Sequence, residues 1–505
     1  MKKFAPRPVQ EVLIDHFLTH DIAYSAASMG LGKTGATLAA FNRLYINGES
    51  IGMMVLAPLR VCNLVWKDEI DTWSDFKHLR VANLRTPLGR QAFIGGMASV
   101  YLLNYDSIPL LIKLIEKRGG TVPYDTIVYD EVDSAKSPDS KRIALLRREA
   151  PRVKRNWGMT GTMMDKLVDL FAQFRLLDGG ERLGRSFQHF KQTYFHKADY
   201  MGYKWDANDG AKELIEKRIC DITITLRASD WMPDMPDAVV QDVDIHMSAD
   251  QLAKYQEFEK ELVLELKSSV TITAPSAAAL VTKLLQYTSG AVYDENGNYH
   301  CIHDLKIEAL RKIIKKTKGS VLVAAIFKHE QARLREAFPT AKFFADATSL
   351  NAQTAMLRQW NDGSIPILVV SPFSASHGLN MQWGGSTMVW MSLIYSHRRY
   401  TQMLARLARP GQKCDVDVYR LMCPGTVDDA IATVLEDKRD TEDRLLSALM
   451  MLESSRDVGL KLKPSEPEDE EAGPMSYGSW EARSDENGKL PSQPEEEFDE
   501  EAFWG

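Results

Sequence analysis

The stretch Ala27-Ser28-Met29-Gly30-Leu31-Gly32-Lys33-Thr34 decides the fold class of this 505-residue chain. Glycines let the backbone amides of such a loop wrap a phosphate at a helix N-terminus, where unpaired N–H groups and the helix dipole favour anions. In this arrangement Lys33 reaches the β- and γ-phosphates and Thr34 offers its hydroxyl to Mg²⁺. A glycine-rich turn that opens a helix and binds nothing is the alternative interpretation. The stretch predicts a triphosphate site that includes Gly30 and Gly32.

About a hundred residues later, the apolar run Thr126–Asp130 ends in the carboxylate pair Asp130-Glu131. Asp130 can hold Mg²⁺ through water, and Glu131 can polarise an attacking water as a general base. The alternative is that the two acids cap the next helix. Their combination with Lys33 and Thr34, which we expect on a neighbouring strand, favours hydrolysis of a bound triphosphate.

Short apolar runs rich in β-branched residues alternate with amphipathic segments in two sets. The first set is Met53–Pro58, Ser99–Tyr105 and Thr126–Asp130, and the second is Val321–Ile326, Ile367–Val370, Thr387–Met391 and Val416–Leu421. Buried runs that alternate with helices are typical of parallel sheets. The sequence therefore predicts an α/β protein with two parallel-sheet lobes in tandem.

Composition and pattern divide the chain into four parts. We expect a first, ATP-binding lobe over 1–230, a helical connection with elaborations over 231–317, a second lobe over 318–445, and a linker with an acidic tail over 446–505. The Pro-, Glu-, Asp- and Ser-rich tail is too poor in apolar residues to form a core, which predicts disorder.

The net charge of −7 hides an uneven distribution. Residues 464–505 carry −12, so the first 463 residues carry +5. A mildly basic body with an acidic tail is compatible with a ligand that has a phosphate backbone.

No run of about 18 apolar residues occurs, which predicts no membrane span. The chain start lacks the apolar segment of a secretory signal. The five cysteines are scattered and never spaced Cys-x-x-Cys, which favours free thiols in a reducing compartment. We expect a cytoplasmic protein, in the host cytoplasm if a phage encodes it.

A basic segment near residue 400 carries two arginines at helical spacing, Arg406 and Arg409. Residues three apart share one helix face, and arginine offers a permanently charged, planar fork of donors for phosphate oxygens. A solvated basic helix face is the alternative. The pair predicts a cross-cleft site that neutralises transition-state charge when two lobes close.

The order of these motifs resembles the Swi/Snf family of DNA-dependent ATPases over about residues 8–438. The similar segments are Pro8-Val9-Gln10, Leu56-Ala57-Pro58, Asp130-Glu131-Val132-Asp133, Met159-Thr160-Gly161-Thr162, Ser376-His377-Gly378-Leu379-Asn380, Gln402 to Gln412 with Arg406 and Arg409, and Gly425-Thr426-Val427-Asp428-Asp429.

The resemblance implies two RecA-like lobes that use ATP and Mg²⁺. It implies that Gln10 senses adenine, that Gly378 and Asn380 belong to a loop facing both ATP and the nucleic acid, and that Gln402 contributes to the nucleotide site. The implied function is a nucleic-acid-dependent ATPase motor, a translocase or helicase, that acts on duplex or branched DNA. The size of the chain is similar to that of compact phage or bacterial members.

Asp133 occupies a position where this family usually has histidine, so we expect altered coupling between the acidic motif and the arginine segment. The acidic tail ends in Phe503-Trp504 and resembles tails of single-strand-binding and phage replication proteins; both partner docking and solubilisation remain open. The alternative to a motor is an ATP-gated DNA-binding or partner-recruiting protein that does not separate strands.

Overall fold

The computed structural model describes residues 2–134, 144–146, 153–161, 167–197, 205–232, 236, 238–268, 274–375 and 379–436. The strands in this part of the chain are β1 (Ile22–Ala27), β2 (Met53–Ala57), β3 (Val81–Asn83), β4 (Val100–Asn104), β5 (Thr126–Asp130), β6 (Arg155–Thr160), β7 (Phe195–Lys197), β8 (Trp205–Ala207), β9 (Thr223–Leu226), β10 (Ala238–Asp244), β11 (Ala291–Tyr293), β12 (Tyr299–Cys301), β13 (Val321–Ala324), β14 (Lys342–Phe343), β15 (Ile367–Val370), β16 (Thr387–Trp390) and β17 (Val416–Met422).

The helices connect and flank these strands. They are α1 (Pro8–Thr19), α2 (Lys33–Ile46), α3 (Lys67–Thr72), α4 (Pro87–Gly95), α5 (Ile108–Lys117), α6 (Leu167–Asp178), α7 (Phe187–Tyr194), α8 (Ala211–Ile219), α9 (Ala228–Trp231), α10 (Ala249–Ser268), α11 (Ala274–Ser289), α12 (Leu305–Lys316), α13 (Lys328–Ala337), α14 (Leu350–Asn361), α15 (Pro372–Ala375), α16 (His397–Leu404) and α17 (Val427–Glu436), with a π-helical segment at Val61–Trp66 that leads into α3.

The first lobe is built on a seven-stranded sheet in the order β3-β4-β2-β5-β6-β1-β9, and all of its strand pairs are parallel. Alternate residues of one strand enter different hydrophobic clusters: Met54 and Leu56 pack on one face of the sheet, and Met53 and Val55 on the other. This period of two follows from strand geometry. Helices cover both faces, which explains why β2 is apolar throughout.

The second lobe is built on a six-stranded sheet in the order β10-β17-β16-β13-β15-β14, and its strand pairs are also parallel. Two hydrophobic clusters cover its faces. The prediction of an α/β chain with two parallel-sheet lobes in tandem is confirmed. The expected acidic tail, 446–505, lies outside the described residues.

One sequence expectation about the connection needs correction. We expected helical structure over 231–317, but β10 lies in that range and pairs with β17 as the edge strand of the second sheet. Most of its residues are exposed or half-buried. The strand therefore lacks the continuous apolar run that predicted strands such as β15 and β16, because an edge strand does not need one.

The two halves of the predicted triphosphate site do not lie on neighbouring strands. We expected the glycine-rich loop and the carboxylate pair on neighbouring strands, but β6 lies between β1 and β5. This strand is fully buried although it contains Arg155 and Asn156. Because the three strands are parallel, their carboxyl ends lie at one edge of the sheet, and the loop after each one faces the same cleft.

Candidate functional site: the cleft between the two lobes

The loop between β1 and α2 has a backbone that requires glycine at two positions. Gly30 and Gly32 have φ angles of 83° and 78°, a left-handed conformation that glycine adopts without steric cost. A Cβ atom at Gly32 would lie 2.4 Å from Gln10 Nε2, and one at Gly30 would lie 2.5 Å from Cδ of Pro410 in the second lobe. The close approach of these groups leaves no room for a side chain.

Lys33 begins α2, and its ammonium group is folded back on the loop. Nζ donates hydrogen bonds to the carbonyl oxygens of Ala27 at 2.6 Å and Ser28 at 3.4 Å. Burial lowers the pKa of Lys33, and the carboxylates of Glu131 and Asp130 act in the opposite direction. A buried ammonium group next to a helix N-terminus is a favourable partner for a phosphate. Thr34 follows in the same first turn.

Gln10 on α1 contacts this loop directly. Its Nε2 donates to the carbonyl of Gly32 at 3.1 Å, and its Oε1 accepts from the backbone N–H of Arg7 at 3.0 Å. The Arg7 guanidinium donates to the carbonyl of Gly30 at 3.0 Å. Arg7 was not among the predicted site residues, because it belongs to none of the motifs recognised in the sequence. Gln10 and Arg7 therefore both hold the backbone of the glycine-rich loop.

Asp130 at the end of β5 is buried and held in place. Oδ2 accepts a hydrogen bond from Trp66 Nε1 at 2.9 Å, and its backbone carbonyl accepts one from the Tyr105 hydroxyl at 3.0 Å. Burial, followed by the charge of Glu131, raises the pKa of Asp130 to about 7. A buried carboxylate favours a bound cation, because the positive charge offsets the free-energy cost of burying the ionised form.

Glu131 has a strained backbone. Its φ of 53° is the one positive value at a non-glycine position in the described ranges. Such a conformation costs about 1–3 kcal/mol and is concentrated at functional sites, where the surrounding structure enforces it. The strain turns the chain sharply after β5 into the short 3₁₀ segment Val132–Ser134.

Gly161 follows β6 and brings the Thr160-Gly161 segment against both groups. A Cβ atom there would lie 3.5 Å from Lys33 Nζ and 3.6 Å from Glu131 Oε1. The central strand β6 therefore ends between the two halves of the predicted triphosphate site. Thr162, the next residue of this segment, lies outside the described residues.

The arginine segment of the second lobe differs in one respect from the expectation. Helix α16 ends at Leu404, so Arg406 and Arg409 lie in the turns that follow and do not share a helix face. The N–H of Arg406 bonds the carbonyl of Met403 at 3.0 Å, a tighter pattern than that of an α-helix. Pro410 lacks an N–H and disfavours helical backbone at the residue before it.

The two guanidinium groups nevertheless converge on one point. Nη1 of Arg406 and of Arg409 lie 3.3 and 3.5 Å from the carbonyl oxygen of Leu379, and Arg409 also donates to Asn380 Oδ1. Burial lowers the pKa of Arg406 to about 9 and that of Arg409 to about 10. Two cations this close repel each other, and an anionic ligand would offset both this repulsion and the cost of desolvating the two charges.

The structure brings most of the predicted site residues to one cleft. Arg409 Cβ lies 3.6 Å from the position of a Cβ atom at Gly30, and the charge of Glu131 acts on Arg406. Gln402 is buried on α16, whereas Asn380 is exposed beside Arg409. Gly378 lies outside the described residues.

Arg398 is a cross-cleft contact that the sequence analysis missed. Its Nη2 atom lies 2.7 Å from Asp133 Oδ2 and 3.5 Å from Glu131 Oε2. The signal in the sequence was weak, because arginines are common and nothing in the spacing connects residue 398 with residue 133. One feature of the sequence did indicate an acidic partner for Arg398. Arg398 and Arg399 lie at the start of a helix, where cations are disfavoured.

Further contacts hold the lobes together away from the charged groups. Arg60 donates to the carbonyl of Ser374, and its guanidinium lies 5.7 Å from the ring centroid of Phe344. Leu64, on the π-helical segment of the first lobe, packs against the hydrophobic cluster of the second. The cleft is therefore in a closed arrangement, with residues of both lobes facing one space.

The donors present fit a magnesium–triphosphate ligand. Glycines keep the loop free of side chains, and positive charge comes from Arg406, which is buried, and from Lys33 and Arg409, which are half-buried. The Asp130 carboxylate and the Thr34 hydroxyl are oxygen ligands of the kind that Mg²⁺ prefers.

Comparison with known proteins identifies the family. Residues 26–291, more than half of the chain, match the family model described as the SNF2-related domain. The chain belongs to the SNF2-related family. Protein p41 of Acyrthosiphon pisum secondary endosymbiont phage 1 is 37% identical over 471 residues, which cover 89% of this SNF2-related chain and 99% of p41.

More distant relatives are larger proteins. An uncharacterized ATP-dependent helicase of Mycoplasma pneumoniae is 20% identical over 83% of this chain, and the matching region spans 40% of that helicase. Among solved structures, the Sulfolobus solfataricus SWI2/SNF2 ATPase core in complex with dsDNA is 20% identical, with a TM-score of 0.41, over 90% of this chain and 97% of that one. In the ranges that the structure describes, none of the helices has the length and hydropathy to cross a membrane.

Proposed function

We propose that this SNF2-related chain is a nucleic-acid-dependent ATP hydrolase that moves along DNA as a translocase or helicase. The observation that carries the proposal is the meeting of Lys33, Glu131 and Arg406 in one cleft, although they come from three separate parts of the sequence. Hydrolysis of a phosphoanhydride needs a site for anionic oxygens, a base for water and positive charge for the transition state.

In this mechanism each group has one task. Lys33 and the N–H groups at the start of α2 bind the terminal phosphates, and Gln10 reads the base end of the nucleotide. Glu131 accepts a proton from the attacking water, while Arg406 and Arg409 donate to oxygens that gain charge. Mg²⁺, held through Asp130 and Thr34, would offset the negative charge of the phosphates.

Opening and closing of the lobes converts hydrolysis into movement. The arginines and Lys33 lie on opposite lobes, so a bound triphosphate favours the closed cleft and its loss favours the open one. Family membership and the charge of +5 on the first 463 residues support DNA as the track. The other candidate function is an ATP-gated clamp that does not move along DNA. Such a clamp would not need the complete set of groups for ATP hydrolysis.

The test is phosphate release by the full chain alone and with single-stranded DNA, duplex DNA, branched DNA or RNA. Glu131→Gln should retain nucleotide binding and lose about 10²–10⁴-fold in turnover, because it removes the base and keeps the shape. Glu116→Gln, an exposed position on α5 of the same lobe, is the matched control and should turn over ATP normally. Normal turnover in Glu131→Gln would remove this residue from the mechanism, and turnover that no nucleic acid stimulates would contradict the motor.

A further inference from the structure

An ion pair crosses the cleft beside the catalytic carboxylate. Arg398 in the first turn of α16 lies 2.7 Å from Asp133 and 3.5 Å from Glu131, and the side chains of these three residues are 22%, 11% and 16% exposed. Exposed ion pairs contribute little because water screens them. This one is mostly shielded, and its partners belong to different lobes.

The surroundings of Arg398 make the acidic partners necessary. Helix α16 begins with His397, Arg398 and Arg399 and has no acidic residue in its first turn. Cations at a helix N-terminus are disfavoured by the positive end of the helix dipole. The first lobe supplies the missing negative charge through Asp133, at the position where the resemblance led us to expect histidine. A neutral imidazole could not balance this guanidinium.

We propose that Arg398 is a positioning residue that couples lobe closure to the orientation of Glu131. The inference rests on the proposed role of Glu131 as the general base. The pair with Asp133 forms only when the lobes meet, and the same guanidinium then lies beside Glu131 Oε2. The other oxygen, Oε1, stays on the side of Gly161 and Lys33. Closure thus fixes one oxygen of a strained residue and leaves the other directed toward the phosphate loop.

The first experiment measures closure without hydrolysis. Cys220 in the first lobe and Cys414 in the second are exposed and can carry a donor and an acceptor fluorophore once Cys301 is replaced by serine. Cys62 and Cys423 are buried, and burial raises the pKa of each thiol to about 12, which keeps them unreactive. We expect Arg398→Gln to lower energy transfer in the free protein, because it removes both ion pairs across the lobes, and Asp133→Asn to lower it less, because the pair of Arg398 with Glu131 is retained.

The second experiment measures turnover in the same variants. Arg398→Gln should lower kcat at least about fivefold, the lower end of typical coupling between sites, with KM for MgATP within about twofold because ground-state binding is retained. Asp133→Asn should lower kcat less, since Arg398 keeps its contact with Glu131. The double variant should match Arg398→Gln, because residues that act through one contact are not additive. Arg398→Lys should recover part of the loss.

Arg399→Gln is the matched control. Its guanidinium is the neighbour of Arg398 on the same helix turn but lies 4.7 Å from the ring of Phe373 in its own lobe, so both transfer and kcat should be unchanged. Unchanged transfer in Arg398→Gln overturns the inference even if the wild-type chain hydrolyses ATP. Lower transfer with normal kcat overturns the coupling to Glu131. A wild-type chain without ATPase activity contradicts the proposed function, whereas the transfer measurement still reports on the pair.

Discussion

Asp130 and Glu131 are adjacent in the chain, yet the structure gives the two carboxylates different surroundings. Asp130 ends a buried strand and accepts a hydrogen bond from Trp66, whereas Glu131 starts a sharp turn in the left-handed conformation. The strand fixes the first, and the turn directs the second toward the cleft. The buried charge of Asp130 and the left-handed backbone of Glu131 both cost free energy in the absence of a ligand. Such costs are common at sites of binding or catalysis.

Replacement of Asp130 by asparagine should stabilise the free protein at alkaline pH. Burial raises the pKa of Asp130 from its ordinary value of 3.8 to about 7. The neutral form is therefore favoured in the folded state, and the stability it contributes is present below pH 4 and is lost as the pH rises to 7. Asparagine stays neutral and can still accept from Trp66. The melting temperature of Asp130→Asn, without Mg²⁺ or nucleotide, should exceed that of wild type above pH 7.

The difference in melting temperature should be largest and nearly constant above pH 7 and should shrink as the pH falls from 7 to 5.5, because stability depends on pH only between the unfolded and folded pKa values of Asp130. Asp209→Asn, at an exposed position before α8, serves as the control and should follow wild type throughout. A constant difference across this range would mean that Asp130 is not the titrating group.

At the scale of elements, the apolar runs predicted seven strands of the two large sheets. The strands of these sheets that the runs did not predict are β1, β3, β6, β9, β10 and β14. The bounds of β5 and β15 agree with those of the apolar runs that predicted them. Strand β6 was not recognised because its buried residues include Arg155 and Asn156, and β10 was not recognised because it is exposed. The glycine loop, the carboxylate pair and the two arginines were found because each motif is local. The contact of Arg398 was not predicted, because its partners Glu131 and Asp133 are remote in sequence.

The turn after α16 should be more important for catalysis than for nucleotide binding. Arg409→Ala removes a half-buried cation that contacts Leu379 and Asn380. By analogy with other arginines that act across a cleft, we expect a loss of up to about 10³-fold or more in kcat. Affinity for ATP, measured with a fluorescent analogue, should change much less. Arg335→Ala, at an exposed ion pair of the same lobe, should leave kcat unchanged. A large loss of affinity with normal kcat would assign Arg409 to ground-state binding.

Helix α17 depends on one buried ion pair. Asp428 accepts hydrogen bonds from Lys306 Nζ at 2.8 Å and Thr288 Oγ1 at 3.0 Å, and both members of the ion pair have fully buried side chains. Burial alone would lower the pKa of Lys306, but the Asp428 carboxylate raises it above its usual value. Within the segment Gly425 to Asp429, Asp428 therefore has a structural role.

Asp428→Asn should strongly destabilise the second lobe. It leaves the Lys306 charge buried without a counterion, and the loss of one partner of such a pair costs about 3–5 kcal/mol. Asp429→Asn is the matched control, because Asp429 is exposed and its contact with the Gly425 N–H can be kept by an amide oxygen. Urea unfolding followed by circular dichroism would measure both. Equal midpoints for Asp428→Asn and wild type would show that the charge is dispensable.

At the scale of the whole molecule, the two lobes meet through charge at the centre of the cleft and through apolar and cation–π contacts at its side. Arg398 reaches the acidic residues, while Leu64 on the π-helical segment and Arg60, directly before it, contact the second lobe. An anionic ligand can take the place of the acidic partners in such ion pairs. The apolar contacts depend less on which groups meet. We therefore expect bound anions to change how readily the cleft between the two lobes closes.

Charge at this scale also leads to a prediction for residues 464–505, which lie outside the described residues. They carry −12 on a chain whose remainder carries +5, so they should compete with DNA phosphates for the basic body. Removal of this segment should tighten DNA binding at low ionic strength and leave ATP hydrolysis without DNA unchanged. The effect should vanish near 1 M salt, where the Debye length is about 3 Å. A salt series of DNA affinities for full-length and shortened protein measures it.

A third variant separates charge from the aromatic end of this segment. In the full-length chain, the six acids between Glu495 and Glu501 can be changed to their amides, which keeps the length together with Phe503 and Trp504. If competition is electrostatic, this variant should bind DNA with an affinity between those of the full-length and shortened proteins, and the difference should decline with salt. An aromatic contact would instead leave the variant equal to wild type, because apolar burial is insensitive to screening. Identical affinities for all three proteins at every salt concentration would exclude competition and leave solubility or partner docking as the role of the segment.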